Sequence, residues 1–115
     1  MAIKRIVANI ATPSVEQTRD FYIALFDLDV AMDMGWIATL SGTAKTPVQI
    51  SIAREGGSGT AVPDLSIEVE DVDAIHARAK KLELAIEYPL TDEPWGVRRF
   101  YLRDPTGKLL NILSH

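Results

Sequence analysis

The segment Asp92–Arg99, with the sequence DEPWGVRR, carries the densest side-chain chemistry in the chain. Trp95 stands between a proline and a glycine, which favour a stiff turn, so its large flat ring is presented at little entropic cost. Arg98 and Arg99 follow, and guanidinium groups pair with carboxylates or phosphates and stack on rings. The segment therefore indicates either a ligand contact or a tryptophan that plugs a sheet edge. Alternation along a strand turns only one of the two arginines inward, and the sequence leaves open which.

A second group of polar residues falls on alternate positions of the predicted strands. Its members are Asn9, Gln49, Ser51, Asp64, Ser66, Glu68 and Asn111. They are short amides and hydroxyls as much as carboxylates, whereas a plain solvated face favours long charged side chains. The pattern favours a cleft lined by hydrogen-bonding groups, the usual form of a small-molecule site. A solvated sheet face is the alternative.

Residues for nucleophilic or zinc chemistry are scarce. The chain has no Cys, and its two histidines are His76, within a predicted helix, and His115 at the chain end. No H-x-x-x-H or G-x-S-x-G motif is present, so the sequence does not indicate a catalytic triad or a zinc site. Asp64 and Glu68 are the carboxylates of the polar register that could act as acid or base.

The elements that must position these residues repeat once along the chain. Strand-like alternation at Ile6–Ile10 and again at Leu65–Val69 is followed each time by a helix and three further strands. Those strands are predicted at about 28–33, 35–41, 47–53, 84–88, 97–103 and 108–114. Each half is therefore predicted to be a βαβββ module, and two such modules are expected to complete each other's core.

Both helices have start signals and an apolar face. Ser14 with Gln17 fits a capping box, and Asp71 is a good N-cap for the second helix. The predicted apolar faces are Val15, Tyr22, Leu25 and Phe26 in the first helix, and Val72, Ile75, Ala79 and Leu82 in the second. They are expected to pack on the apolar strand register, which comprises Ile6, Ala8, Ile10, Val48, Ile50, Ile52, Leu65, Ile67, Val69, Leu110 and Ile112.

A glycine-rich stretch, 55–62, predicts a flexible connector between module 1 (about 3–54) and module 2 (about 63–115). Whether the modules pair within one chain or by swapping between chains stays open. The chain has 115 residues and a net charge of −4, which argues against nucleic-acid and anionic-membrane partners. The apolar run at the N-terminus is too short for a signal peptide or a membrane span. We therefore expect one cytoplasmic domain over 1–115.

Three segments resemble the vicinal oxygen chelate superfamily, and within it the glyoxalase/bleomycin-resistance/dioxygenase group. They are the helix end Phe21–Leu28, the second helix start Glu68–Ala74, and the stretch Trp95–Lys108 with its Asp-Pro-Thr-Gly turn. The last is most similar to bleomycin-resistance proteins. The resemblance implies an α+β fold of two βαβββ modules forming curved mixed sheets, commonly in a homodimer with two clefts.

The resemblance also implies positions for metal ligands. Enzymes of the superfamily place up to four ligands, usually His, Glu or Gln, on strands that face the cleft. The matching positions here are Val7, Gln49, Asp64 and Asn111. Val7 cannot ligate, and one negative charge among three oxygen donors suits Fe, Ni or Zn poorly. No cofactor is therefore expected, and Gln49, Asp64 and Asn111 are the candidates for weak binding of a divalent ion.

The leading hypothesis is a metal-free homodimeric protein that binds a small aromatic and polar molecule, resembling an antibiotic or related metabolite. Trp36 is assigned either to the core or to the cleft wall, and Arg98 is expected to meet an acceptor on the ligand. The candidate ligand-binding residues are Asn9, Trp36, Gln49, Ser51, Asp64, Ser66, Trp95, Arg98, Phe100, Tyr101 and Asn111.

Two other hypotheses stay open. One is a divalent-metal-dependent lyase, isomerase or dioxygenase, with Glu68 as a possible base. The other is a protein that acts through partners, its polar face merely solvated. No catalytic residue is assigned.

Overall fold

A computed structural model describes residues 2–45 and 48–115. In the described part the elements follow the order β1 (Ile3–Ala11), α1 (Val15–Phe26), β2 (Asp29–Asp33), β3 (Ile37–Ser41), β4 (Gln49–Ala53), β5 (Leu65–Val69), α2 (Val72–Lys81), β6 (Ile86–Asp92), β7 (Arg98–Arg103) and β8 (Leu109–Ser114). The predicted α+β fold of two βαβββ modules is confirmed. The strand predicted over 47–53 starts at residue 47, outside the described residues. The strand predicted over 84–88 is shifted, because β6 continues to Asp92 through two register irregularities against β7.

Both predicted helix starts are confirmed. The Ser14 hydroxyl accepts from the Gln17 N–H at 3.4 Å, and the Asp71 carboxylate accepts from the Ala74 N–H at 3.1 Å. Each side chain satisfies an N–H group that has no partner inside its helix. Among the described residues, no helix combines the length and the apolar character needed to cross a membrane.

The chain forms two compact units, which are described separately. The N-terminal unit is Val7–Val62, and the C-terminal unit comprises the chain up to Ile6 together with Pro63–His115. Strand β1 contributes its first residues to the C-terminal unit and the rest to the N-terminal unit. The boundary at Val62 falls at the end of the predicted connector.

In the C-terminal unit the strand order is β5-β8-β7-β6, with β5 and β8 parallel and the other pairs antiparallel. Helix α2 covers one face, so the predicted apolar register here does pack against its helix. The buried cluster contains Val69, Val72, Ala79, Phe100, Leu102 and Ile112. Leu82, predicted on the same helical stripe, is instead 63% exposed because it is the C-cap residue, where the helix ends.

In the N-terminal unit the order is β2-β3-β4-β1, with β1 and β4 parallel. Helix α1 packs against β3 and β4, where Leu40 and Ile52 are fully buried. The helix buries only Val15 among its residues, and the predicted core residues Leu25 and Phe26 are 61% and 59% exposed. The first helix therefore presents an apolar face that its own unit does not cover.

Other members of the predicted apolar register are also exposed. Val48, the residue before β4, is 52% exposed, and Ile6 on β1 is 54% exposed. Val7, which alternates with the predicted apolar residues Ile6 and Ala8 and so falls on the opposite register, is buried at 5% exposure. Burial at these positions depends on what the rest of the chain covers, which alternation along one strand does not encode.

The predicted flexible connector begins with a compact hydrogen-bonded loop. The Gly56 N–H donates to the Thr60 carbonyl at 2.8 Å, and the Thr60 N–H donates to the Gly57 carbonyl at 3.0 Å. Gly56 and Gly57 are buried. Gly57 has φ +84°, a conformation that glycine adopts without a Cβ clash, so the glycines here serve a tight turn.

Candidate functional site

The polar register of the C-terminal unit forms one face of its sheet, opposite α2. Asn111 on β8 lies between Ser66 on β5 and Tyr101 on β7. The Asn111 amide donates to the Ser66 hydroxyl at 3.1 Å. Asn111 is 7% exposed, and its buried Oδ1 has no hydrogen-bond partner among the described residues. These three predicted site residues are therefore brought together, and they leave one buried acceptor.

Beside them lies a group that we call the Arg99 cluster: Tyr88, Glu93, Trp95, Arg99 and Tyr101. The guanidinium carbon of Arg99 lies 4.9, 5.1 and 5.3 Å from the ring centroids of Tyr101, Trp95 and Tyr88, respectively. Arg99 Nη2 lies 2.5 Å from Glu93 Oε2, and their side chains are 4% and 2% exposed. The Tyr88 hydroxyl lies 3.3 Å from both Glu93 oxygens. The cluster is thus a buried ion pair among three aromatic rings, a geometry that favours cation–π attraction.

A short turn between β6 and β7 carries Trp95. The Glu93 N–H donates to the Val97 carbonyl at 2.7 Å, and the Gly96 N–H donates to the Glu93 carbonyl at 3.2 Å. Gly96 has φ +86°, which requires glycine in practice. The predicted stiff turn is confirmed, and the Trp95 ring remains partly exposed.

Arg98, which was expected to meet an acceptor on the ligand, does not lie on this face. Its guanidinium binds Asp73 on α2 at 2.9 Å and Asp92 on β6 at 3.2 Å. The hydrogen bond that Arg98 donates to Asp73, and then the one it donates to Asp92, raise the pKa of Arg98, and Arg98 lowers the pKa of Asp73. The residue ties α2 to the β6–β7 hairpin, and Arg99 points inward instead.

Phe100 also falls on the wrong side of the sheet for the expected contact. It pairs with Ile112 across the β7–β8 ladder, is fully buried, and meets the His76 ring of α2 edge-on at 4.9 Å. Because it alternates with Arg99 and Tyr101, it belongs to the core beneath α2.

The two carboxylates of the polar register have partners. Asp64, an exposed residue just before β5, accepts from the Leu109 N–H through Oδ2 at 2.8 Å. Glu68 binds Arg5 at 3.1 Å and lies 3.9 Å from His115 Nε2, with its own side chain 12% exposed. Within residues 2–45 and 48–115, no three His, Cys, Asp or Glu side chains form a group that could hold a metal ion.

The N-terminal unit has a polar face of its own. Ser51 on β4 lies between Asn9 on β1 and Thr39 on β3, and its hydroxyl is 2.8 Å from that of Thr39. Gln49 lies two residues along the same strand and is partly buried. Trp36 precedes β3, is partly buried, and accepts the Arg54 N–H through its carbonyl at 2.9 Å.

A groove of about 450 Å³ lies elsewhere in the C-terminal unit, where α2 begins. Five carboxylates line it with Arg98 and His115: Glu70, Asp71, Asp73, Asp92 and Glu93. Asp71 caps α2, and Asp73 and Asp92 hold Arg98. Asp71, Asp73 and Asp92 therefore have structural roles at the groove.

Sequence reasoning missed three residues of the two polar faces, Tyr88, Glu93 and Thr39, and left open whether Arg98 or Arg99 faces inward. For Arg99 a signal existed, because it stands two residues before Tyr101 on one strand and so shares its face. Strand periodicity could not identify Glu93, because this residue lies in the turn between β6 and β7.

Comparison with known proteins agrees with this architecture. A solved structure described as NAD-dependent benzaldehyde dehydrogenase from Legionella pneumophila has a TM-score of 0.80 at 22% identity, covering 96% of this chain and 98% of that one. A glyoxalase/bleomycin resistance protein/dioxygenase superfamily member from Vibrio splendidus 12B01 gives 0.72 at 15%, covering 96% and 98%. Streptomyces coelicolor methylmalonyl-CoA epimerase gives 0.73 at 18%, covering 98% of each chain. At these identities the likeness establishes the fold alone.

The family model for the Glyoxalase/Bleomycin resistance protein/Dioxygenase superfamily matches residues 2–112. The chain belongs to this superfamily. A comparison with curated proteins gives no significant match.

Proposed function

We propose that the protein is a small-molecule-binding member of the superfamily, of the bleomycin-resistance type, that holds its ligand on the polar face of the C-terminal unit. The observation that carries the proposal is the Arg99 cluster beside the Ser66–Asn111 pair. Together they place aromatic surface next to a buried hydrogen-bond acceptor. Small-molecule sites are commonly built in this way, from apolar walls with a few polar groups that fix orientation.

The ligand's chemistry follows from these groups. Trp95 and Tyr88 are partly exposed and offer ring faces for stacking. Asn111 Oδ1 is a buried acceptor without a partner in the described residues, and such a group costs about 1–3 kcal/mol. A ligand donor that reached it as neighbouring side chains moved apart would recover much of that free energy. We therefore propose a flat aromatic ligand that carries an N–H or O–H group.

We propose that binding needs no metal ion. Of the four positions that match the superfamily's ligand sites, Val7 has no donor atom and is buried. The Asp64 carboxylate accepts a backbone N–H, and the Asn111 amide bonds to Ser66. Neutral amide oxygens with a single carboxylate suit Fe, Ni or Zn poorly. The donor set therefore does not fit the metals that serve enzymes of this kind.

We also propose a homodimer formed through the uncovered apolar face of the N-terminal unit. Phe21, Leu25 and Phe26 on α1 are 58%, 61% and 59% exposed. Val30 and Met32 on β2, the edge strand of the unit, are 47% and 37% exposed. Two copies of such a face would bury apolar area on the order of 1,000 Å², about the size at which specific interfaces begin. A second copy of this chain is the proposed occupant.

Native mass spectrometry, before and after incubation with Mn, Fe, Ni and Zn, tests the metal-free proposal. The expected result is a mass without metal in every case. One metal ion per chain, lost in Asp64→Ala, would overturn it and indicate a metal-dependent enzyme.

A thermal-shift screen of aromatic metabolites and glycopeptide antibiotics tests ligand binding. A ligand at one hundred times its dissociation constant stabilises the fold by about 2.7 kcal/mol. Quenching of tryptophan emission by the same compound should persist in Trp36→Phe and disappear in Trp95→Phe. Absence of any shift across the screen at high ligand concentration would contradict the proposal.

A further inference from the structure

We infer that Arg99 is a positioning residue, which fixes the Trp95 indole in place on the polar face before any ligand arrives. The inference rests on the proposed function only in taking Trp95 as a ligand contact. It assigns a role to the buried ion pair of Arg99 and Glu93, which the proposed function does not place in contact with the ligand.

The backbone of the turn does not by itself orient the Trp95 ring. The backbone hydrogen bonds from the Glu93 N–H to the Val97 carbonyl and from the Gly96 N–H to the Glu93 carbonyl set the path of the chain, and side-chain torsions are a separate degree of freedom. The Arg99 guanidinium reaches the indole from the sheet, with its carbon 5.1 Å from the ring centroid. A planar guanidinium stacks on an aromatic face, so this contact favours one ring orientation.

Arg99 is itself held on several sides. Glu93 binds its Nη2 at 2.5 Å, and the Tyr88 hydroxyl lies within hydrogen-bond distance of both oxygens of that carboxylate. The Tyr101 ring packs at 4.9 Å from the guanidinium carbon. Tyr88 therefore holds Glu93, Glu93 holds Arg99, and Arg99 in turn contacts Trp95.

The charge of Arg99 is not directed at a ligand. Its side chain is 4% exposed, and the carboxylate beside it balances its charge. It acts through Trp95, because a ring that is ordered in advance loses less conformational entropy when a ligand stacks on it. A site prepared in this way selects flat ligands over bulky ones.

The test measures the order of Trp95 in the ligand-free protein. A Trp36→Phe background makes Trp95 the only tryptophan, and Glu93→Gln/Arg99→Met removes both charges together so that neither is left buried alone. Acrylamide quenching of emission and the near-ultraviolet circular dichroism of the indole are then recorded. Arg98→Met, which removes the neighbouring arginine on the other face, is the matched control.

The expected result is that the double variant loses the Trp95 dichroism band and that its quenching constant rises towards that of free tryptophan. Arg98→Met should leave both signals unchanged. A purely structural role would lower the unfolding midpoint and leave the quenching of the folded state as in the parent. That outcome would overturn the inference.

If the double variant does not fold, the quenching of Trp95 is measured in Arg99→Lys instead, because lysine keeps the charge and lacks the planar stacking group. Increased quenching supports the inference, and unchanged quenching overturns it. No ligand enters the measurement. A failed ligand screen would therefore count against the proposed function and leave the result on Arg99 intact.

Discussion

At the residue scale, the buried pair of Arg99 and Glu93 dominates the chemistry of the C-terminal unit. Two charges removed from water are tolerated only where each finds the other with good geometry and further hydrogen bonds. Here the carboxylate meets the guanidinium and the Tyr88 hydroxyl, and three aromatic rings surround the cation. Removal of one partner of such a pair strongly reduces the free energy of unfolding, whereas replacement of both partners together reduces it far less.

Single removal of either partner should therefore be strongly destabilising. Arg99→Met leaves Glu93 buried without its counter-charge, and we expect the free energy of unfolding to fall by about 3–5 kcal/mol. Glu93→Gln/Arg99→Met should lose less than the two single variants added together. Urea unfolding of all four proteins measures the coupling, and additive losses would show that the pair contributes no mutual stabilisation.

The Asp104 turn predicts a pH-dependent stability. Hydrogen bonds, first from the Thr106 hydroxyl at 2.6 Å and then from the Lys108 N–H at 3.0 Å, lower the pKa of Asp104 from its ordinary 3.8. A depressed folded-state pKa stabilises the fold above pH 3.8, and this stabilisation is lost as the pH falls through the folded-state value. Asp104→Ala should therefore melt below the parent at pH 7, and the difference should close in strong acid.

The control for that experiment is Thr106→Val, which keeps the carboxylate and removes the strongest bond to it. The pKa of Asp104, followed by NMR, should then move up towards 3.8. A melting difference for Asp104→Ala that is the same at all pH values would contradict the assignment.

At the element scale, one side chain joins three elements of the C-terminal unit. The Ser114 hydroxyl at the end of β8 accepts from the Val72 N–H of α2 at 2.9 Å and donates to the Val69 carbonyl of β5 at 3.0 Å. It thus satisfies a first-turn N–H of the helix from a residue 42 positions away in sequence. The start of α2 is fixed both by its own N-cap, Asp71, and by this bridge.

Ser114→Ala should accordingly reduce the free energy of unfolding by about 1–3 kcal/mol, because a partly buried N–H and a carbonyl lose their partner. Chemical denaturation measures the loss. Thr43→Ala, at an exposed loop position, is the control and should change stability little. Equal stability of Ser114→Ala and the parent would mean that water replaces the hydroxyl without cost.

At the scale of the whole molecule, apolar side chains are distributed unevenly between core and surface. The C-terminal unit buries the inner face of its helix in a contiguous cluster, whereas α1 buries Val15 and exposes two phenylalanines and a leucine. Exposed apolar residues in such number on one helix typically mark an interaction surface. This asymmetry is what supports the proposed homodimer.

Phe21→Glu/Leu25→Glu should therefore convert a dimer to a monomer with an intact fold. Size-exclusion chromatography with light scattering measures the mass, and circular dichroism checks the fold. Leu82→Glu is the matched control, since Leu82 is 63% exposed on the C-terminal unit and lies outside the proposed interface. A parent protein that is monomeric at high concentration would contradict the proposal.

Local sequence signals determined much of the fold. The two βαβββ modules, the N-caps Ser14 and Asp71 and the stiff turn at Trp95 all follow from alternation and from turn and capping chemistry, which act over a few residues. Alternation also predicts Ser66 and Asn111 on one face, where the structure pairs them.

Only the tertiary structure decided which side chains meet and how deeply they are buried. It turned Arg99 inward and Arg98 towards Asp73, placed Phe100 in the core, and exposed Leu25. The reason is physical. Strand alternation assigns two faces but not which is which, and the distance between Arg99 and Glu93 depends on the turn that brings them together. Burial, too, depends on what the rest of the chain covers, and no local pattern encodes that.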